Sequence, residues 1–140
     1  LSVTVKVRNK DKLARKFKAL APEAARAMAA VNEQSANDMV AIAKGFVPIR
    51  TGTLRNSIRA EPAGGTVETG AWRVLAGGPA TTRPARNGHG SYDYALGVEF
   101  GTSDTPRQSF FFTSYRLIKR RHRARATRAV NQANKRVAGK

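Results

Sequence analysis

The side chains able to exchange protons gather late in the chain, where His89, Asp93, Glu99 and Asp104 lie close together. Three carboxylates beside an imidazole are raw material for general acid–base catalysis. Asp93 and Asp104 stand next to turn-forming residues, however, and His89 lies in a glycine-rich stretch, settings that suit structural roles. No serine sits in a nucleophile-elbow pattern, and no Gly-x-x-x-x-Gly-Lys-Ser/Thr loop is present to cradle phosphate. Gly64-Gly65 and Gly77-Gly78 read as turns. With no cysteine and only two histidines, His89 and His122, disulfides, thiolate chemistry and cysteine-ligated zinc are excluded. The expectation is a protein that is not an enzyme, with no cofactor and no metal.

The remaining chemistry is electrostatic. Twenty-six Lys and Arg stand against nine Asp and Glu, a net charge of +17, although 41% apolar and 25% charged residues are ordinary for a globular domain. All nine acids lie between Asp11 and Asp104, so the eleven cations of residues 105–140 have no acid among them. Residues 116–128 hold seven of these cations in thirteen positions. At about 100° per residue, Arg116, Lys119, Arg120 and Arg123 share one flank of a helix, and Arg121, Arg125 and Arg128 share the other. Like charges four apart repel by a few tenths of a kcal/mol, a cost that an acidic partner or nucleic-acid phosphate would relieve. A solvated face that keeps the protein soluble is the plainer alternative. Aromatic residues do not interleave with the charges, so any DNA contact is expected at the backbone only.

These residues must be held by elements that the hydrophobic pattern reveals. Leu1, Val3, Val5 and Val7 alternate with polar residues, which predicts a strand over 1–8. The same alternation leaves no apolar block for a signal peptide, and no stretch reaches the roughly 20 apolar residues of a membrane span. Leu13, Phe17, Leu20, Ala24, Met28, Val31, Ser35, Met39, Ile42 and Phe46 step by three and four, a helical stripe. Pro22 falls inside it and predicts two helices roughly in line, near 11–20 and 22–45, ended by Gly45 and Pro48. A Thr hydroxyl near 51–53 is placed to cap a single turn that aims Leu54 and Ile58 inward. Ser57–Glu61 and Thr66–Ala76 read as paired strands. Residues 77–92, rich in Gly, Pro and Thr, read as an extended loop, expected to be mobile in the free chain, with Arg83 and Arg86 as docking charges. A final helix is expected over about 108–137, with Tyr115, Ile118, His122, Ala126, Ala129, Ala133 and Val137 as its packed stripe. The expected fold is α+β: one domain over 1–140, with a small, mainly antiparallel sheet, a long N-terminal helix and a basic helical tail at 116–140.

Two segments carry a pattern. Pro48-x-Arg50-Thr51-Gly52-x-Leu54-Arg55-x-Ser57-Ile58 resembles the P-x-x-T-G-x-L-R-x-S-I segment of neck proteins, the head–tail connector and tail-completion proteins of long-tailed phages and prophages. Tyr94-Ala95-x-x-Val98-Glu99-Phe100-Gly101-Thr102 is similar to the Y-A-x-x-V-E-x-G-T segment of the same family. Order, spacing and the preceding long helix agree, and the resemblance covers most of residues 10–118. After the second segment the family has Pro-Phe-Leu-Arg-Pro-Ala, whereas this chain has Arg107 to Ser114 with three consecutive phenylalanines, so its last helix is entered differently.

Apart from the resemblance, Gly52 and Gly101 suit backbone angles that side chains disfavour. Tyr94, Val98 and Phe100 are expected to anchor their segment to the sheet. Glu99 is expected to accept hydrogen bonds from the backbone or from Arg55, as a structural group. The resemblance implies a virion protein of the neck between capsid and tail, assembled in the host cytoplasm as a ring, expected to be a hexamer, around the DNA path. Its partners would be itself, the adjacent head-completion and tail-terminator or tail-tube proteins, and the DNA backbone in the lumen, with no membrane involved. The alternative is a small basic nucleic-acid-binding protein with backbone-only contacts.

Overall fold

A computed structural model describes residues 10–63, 70–85 and 88–139. The strand expected over 1–8, residues 64–69 of the expected hairpin, and Arg86 lie outside them. The helical stripe of the N-terminal half forms one helix, α1 (Lys10–Phe46), that runs through Pro22 without a break. The expected division at Pro22 is therefore corrected. Pro22 and Lys18 are both exposed, a setting in which water can replace the helical donor that the Lys18 carbonyl loses. The turns on either side are already formed, and helix propagation across one lost bond needs no new nucleus.

The C-terminal stripe forms α4 (Phe111–Ala138). It lies antiparallel to α1: Phe110, just before α4, joins Ala43 and Val47 in the core, and His122 reaches Ser35. Farther along, Glu23 and Ala27 of α1 and Ala129 and Ala133 of α4 line a groove of about 430 Å³. The basic segment, helical as expected, is part of the main helix pair. Val31, Ser35, Ala36 and Met39 of α1 are buried, as are Ser114, Ile118 and Ala133 of α4. The expected α4 stripe is right from Ile118 onward but begins one residue late. Tyr115 is exposed and Ser114 takes the buried place, its hydroxyl donating to the Phe110 carbonyl at 2.6 Å.

Between the long helices the chain makes small elements. These are α2 (Thr53–Ser57), β1 (Arg59–Pro62) and β2 (Trp72–Leu75). A 3-10 turn (Pro79–Thr81) follows, then β3 (Thr82–Pro84), β4 (Ser91–Asp93) and α3 (Tyr94–Phe100). β1 pairs antiparallel with β2, Arg59 opposite Leu75 and Pro62 opposite Trp72. β3 pairs antiparallel with β4, Thr82 opposite Asp93. The fold is α+β, with two separate two-stranded ribbons in place of one sheet. Residues 77–92 are not one extended loop: they hold the 3-10 turn and the β3–β4 ribbon. The order comes from Thr81, fully buried, whose hydroxyl donates to the Gly78 carbonyl at 2.9 Å. The main core is Ala43, Val47, Leu54, Ile58, Ala95 and Phe110, where the ends of α1, α2, α3 and α4 converge.

Candidate functional site

The first family-like segment builds α2 and its fastening. Gly52 sits at φ 79° just before the helix and Gly101 at φ 83° just after α3, the left-handed angles expected of them. Leu54 and Ile58 point into the core as expected. The Thr51 hydroxyl approaches the Thr53 N–H only at 3.5 Å, so the cap on this short helix is weak. Pro48 and Thr51 are exposed. Ser57 donates to the Leu54 carbonyl at 2.7 Å and accepts from the Gly77 N–H at 2.9 Å. Arg59 Nη1 donates to the carbonyls of Ser57 and Gly77, each at 3.2 Å. Arg55 does not meet Glu99. Its Nε donates to the Lys44 carbonyl at 3.2 Å, a cation at the electronegative C-terminus of α1.

The second segment is a helix, α3, and Asp93 just ahead of it is its cap. Asp93 Oδ1 accepts from the Ala95 N–H at 2.9 Å, and Oδ2 accepts from the Gly78 N–H at 2.7 Å. A Cβ on Gly77 would run into the same carboxylate, so only glycine lets the loop approach this closely. Burial pushes the Asp93 carboxyl up, but hydrogen bonds from the Thr81 side chain, Ala95 and Gly78 outweigh it and leave the group below its ordinary value.

Glu99 is buried and joins α3 to α4. Its Oε1 accepts from Ser109 Oγ at 2.6 Å and the Phe112 N–H at 3.1 Å. Its Oε2 accepts from the N–H groups of Phe110 at 2.9 Å and Phe111 at 2.8 Å. These are the orphan donors of a helix N-terminus, met by a negative charge at its positive end. Burial raises the carboxyl, and the bonds from Ser109, Phe111, Phe112 and Phe110 more than offset it, so the group stays below its ordinary value. Of the two partners expected for Glu99, the backbone is the one observed. A Cβ on Gly101 would lie 3.0 Å from the Arg107 N, and the Gln108 N–H donates to the Val98 carbonyl at 2.9 Å. The Thr102 hydroxyl accepts from the Thr105 N–H at 3.1 Å. Together these fold the connection back onto α3.

Ala95 is in the core, with Tyr94 and Val98 packed against it. Phe100 is not an anchor: it is 59% exposed, and its ring meets that of Phe112 at 5.9 Å. Leu96, four residues before Phe100, and Tyr115, three after Phe112, are exposed on the same faces. The result is an apolar strip of Leu96, Phe100, Phe112 and Tyr115 at the outside of the α3–α4 junction.

The cations divide differently from the sequence expectation. Arg116, Lys119, Arg120, Arg121, Arg123 and Arg128 are exposed, and Lys119 Nζ lies 5.8 Å from the centre of the Tyr115 ring. Arg125 instead turns inward, its Nη1 2.7 Å from Asp38 Oδ2, and ties α4 to α1. Arg83 is exposed, but its Nη1 donates to the carbonyls of Ala80 and Thr82 at 3.1 and 2.9 Å. Its guanidinium also sits 5.5 Å from the Tyr94 ring centre, so it is already occupied within its own ribbon.

His89 is exposed in the loop between β3 and β4, while Asp93 and Glu99 are spent on separate helix ends, so the imagined acid–base set is not assembled. Among the described residues no group of His, Asp and Glu is placed to hold a metal, and no helix is long and apolar enough to cross a membrane. The structural roles of Ser109 and Gly77 were not read from sequence. Asp93 carried a legible signal, an N-cap residue ahead of Tyr94, that needed α3 to be recognised as a helix.

In comparison with known families, residues 9–101 match the model described as "Bacteriophage HK97-gp10, putative tail-component". Comparisons with curated proteins and with solved structures each returned no match.

Proposed function

Since the chain belongs to the HK97-gp10-like family of phage tail components, we propose that it joins head to tail as a ring around the DNA path. The role is structural, and the family places it in the virion among other phage structural proteins. The observation that carries the finer reading is the strip Leu96–Phe100–Phe112–Tyr115. Four large apolar side chains, each 45% exposed or more, stand on a junction made rigid by Glu99. Contiguous apolar surface of this kind marks a contact site, and closed assemblies are built by head-to-tail contacts that return on themselves. The isolated chain is expected to be monomeric or weakly associated, because +17 on each copy opposes association. Docking on the neighbouring head-completion and tail-terminator or tail-tube proteins then closes the ring, a hexamer in this reading. Particle images should show a closed ring between capsid and tail. Phe100→Ser with Phe112→Ser should leave heads and tails unjoined while the isolated variant still folds. A single copy at the neck, or joined particles from that variant, would sink the reading.

A DNA-facing role for α4 is a second reading, favoured by six exposed cations between Arg116 and Arg128. Backbone contacts would give duplex affinity that falls steeply with salt and shows little sequence preference. Replacing Arg116, Lys119, Arg120 and Arg123 by Gln should abolish that affinity. Unchanged assembly and infectivity in this variant would leave the cations as a solvated face.

A further inference from the structure

The apolar stripe of α1 does not end where its partner ends. His122 meets Ser35 across the two antiparallel helices, and the sixteen residues from there to Ala138 place the end of α4 near residue 19 of α1. The first turns of α1 therefore extend beyond α4 by roughly 13 Å at 1.5 Å per residue. Leu13 and Phe17 are in phase with Ala24, Val31 and Ser35, yet they are 51% and 62% exposed. Leu20, half-buried, completes an i, i+4, i+7 face. Lys12 and Lys16 border that face on one side and Lys18 on the other, with Arg15 behind, all exposed, and Asp11 is the sole acid of the segment.

We propose that Lys10–Leu20 is a docking helix that lays Leu13, Phe17 and Leu20 into an apolar groove, rimmed by carboxylates, on a different protein. The spacing of the three anchors is that of a helix seated in a groove, and the surrounding cations call for an acidic rim. A second copy of this chain is a poor source of one, because each copy carries +17. Among the described residues Glu23, Asp38 and Glu61 are paired with Arg26, Arg125 and Arg59 and Asp93 and Glu99 are committed to helix ends. The exposed carboxylates Asp11, Glu33 and Asp104 are spread over separate parts of the chain. Duplex DNA would satisfy the cations but offers no apolar surface to Phe17 along its backbone. The inference concerns a surface remote from the α3–α4 strip and stands whether or not the chain closes a ring.

The test is a photo-crosslink in assembled particles, with a benzophenone-bearing amino acid in place of Phe17. The expected adduct is on a second virion protein, at a segment where Asp or Glu flank apolar side chains. With that protein purified, Leu13→Gln plus Phe17→Gln should weaken binding at least about tenfold, as loss of central apolar anchors does, and leave the unfolding midpoint of the isolated chain unchanged. Lys12, Lys16 and Lys18→Gln should slow association and flatten its salt dependence. An adduct within the same chain, on a second copy or on lipid would overturn the proposal, as would no adduct. So would a lower unfolding midpoint for the double Gln variant, because the face would then be covered within the molecule.

Discussion

Replacing Glu99 by Gln changes one atom and removes the joint between α3 and α4. The carboxylate accepts from four donors, two at each oxygen. The amide keeps one oxygen, so either Ser109 and Phe112 or Phe110 and Phe111 then face an NH2 group that cannot accept. Hydrogen bonds to a charged group contribute about 1.5–3 kcal/mol each, so losing two costs about 3–6 kcal/mol, and the lost charge at the helix N-terminus adds up to roughly 1 kcal/mol. Against a typical domain stability of about 5–15 kcal/mol, this is a large fraction.

Urea unfolding followed by circular dichroism at pH 7 should show the loss as a lower midpoint with an unchanged slope. The pH dependence supplies an independent check. The folded-state carboxyl lies below its ordinary value, so its stabilisation is complete above the unfolded value of about 4.3. It is lost as pH falls through the depressed folded value. Wild-type stability should therefore fall with acid from about pH 4.3 downward, and the Gln variant should lack the Glu99 share of that slope. A variant within about 0.5 kcal/mol of wild type, the ordinary range for inconsequential surface changes, would refute the assignment of Glu99 as the cap.

Gly77→Ala should destabilise by about 2 kcal/mol or more, since the residue sits at φ 92° and its Cβ would collide with the Asp93 carboxylate; denaturant unfolding measures it. Pro22→Ala should restore one helical hydrogen bond to α1 and raise amide-exchange protection over residues 10–21, by up to about 3 kcal/mol in local opening free energy. A chain ending at Gly101 should fail to fold, with no cooperative thermal transition, because Glu99 loses its donors and the core loses Phe110.

Long-period features of the fold were legible in the sequence. Both long helices, the inward turn of Leu54 and Ile58, and the left-handed angles at Gly52 and Gly101 follow from spacing and residue type. What was hidden depended on neighbours distant in the chain. Pro22 is tolerated because its side of α1 faces solvent, a fact of packing and not of proline. Tyr94–Phe100 carries a glycine and a β-branched valine and is too short for periodicity to declare; its helicity rests on the Asp93 cap. Residues 77–92 have the composition of a loop, and their described part is held by the Thr81 hydroxyl donating to the Gly78 carbonyl and by the Asp93 carboxylate accepting from the Gly78 N–H. Arg125 looked equivalent to Arg121 and Arg128 by angle, and only the position of Asp38 on α1 separates it from them. The α3–α4 strip was invisible because Phe100 reads as an anchor to the sheet and nothing in the sequence sets Phe112 beside it.

Apart from Phe100, the residues of the two family-like segments and the surface proposed to select a partner are therefore largely different sets. Leu54, Ile58, Ala95 and Glu99 are buried, Ser57 is turned to Gly77, and Gly101 lets the chain close on Arg107. A residue engaged on all sides within its own subunit fixes geometry and has nothing left to offer another molecule. The family match ends at residue 101, yet Glu99 inside it needs the α4 N-terminus outside it. The matched segment and the start of α4 are thus joined through this carboxylate. Discrimination between neighbours must come from groups that remain open: the first turns of α1, the α3–α4 strip and the exposed cations of α4. Two of these three draw on α4, beyond the matched segment, so chains sharing the two motifs can share a fold and still join different partners.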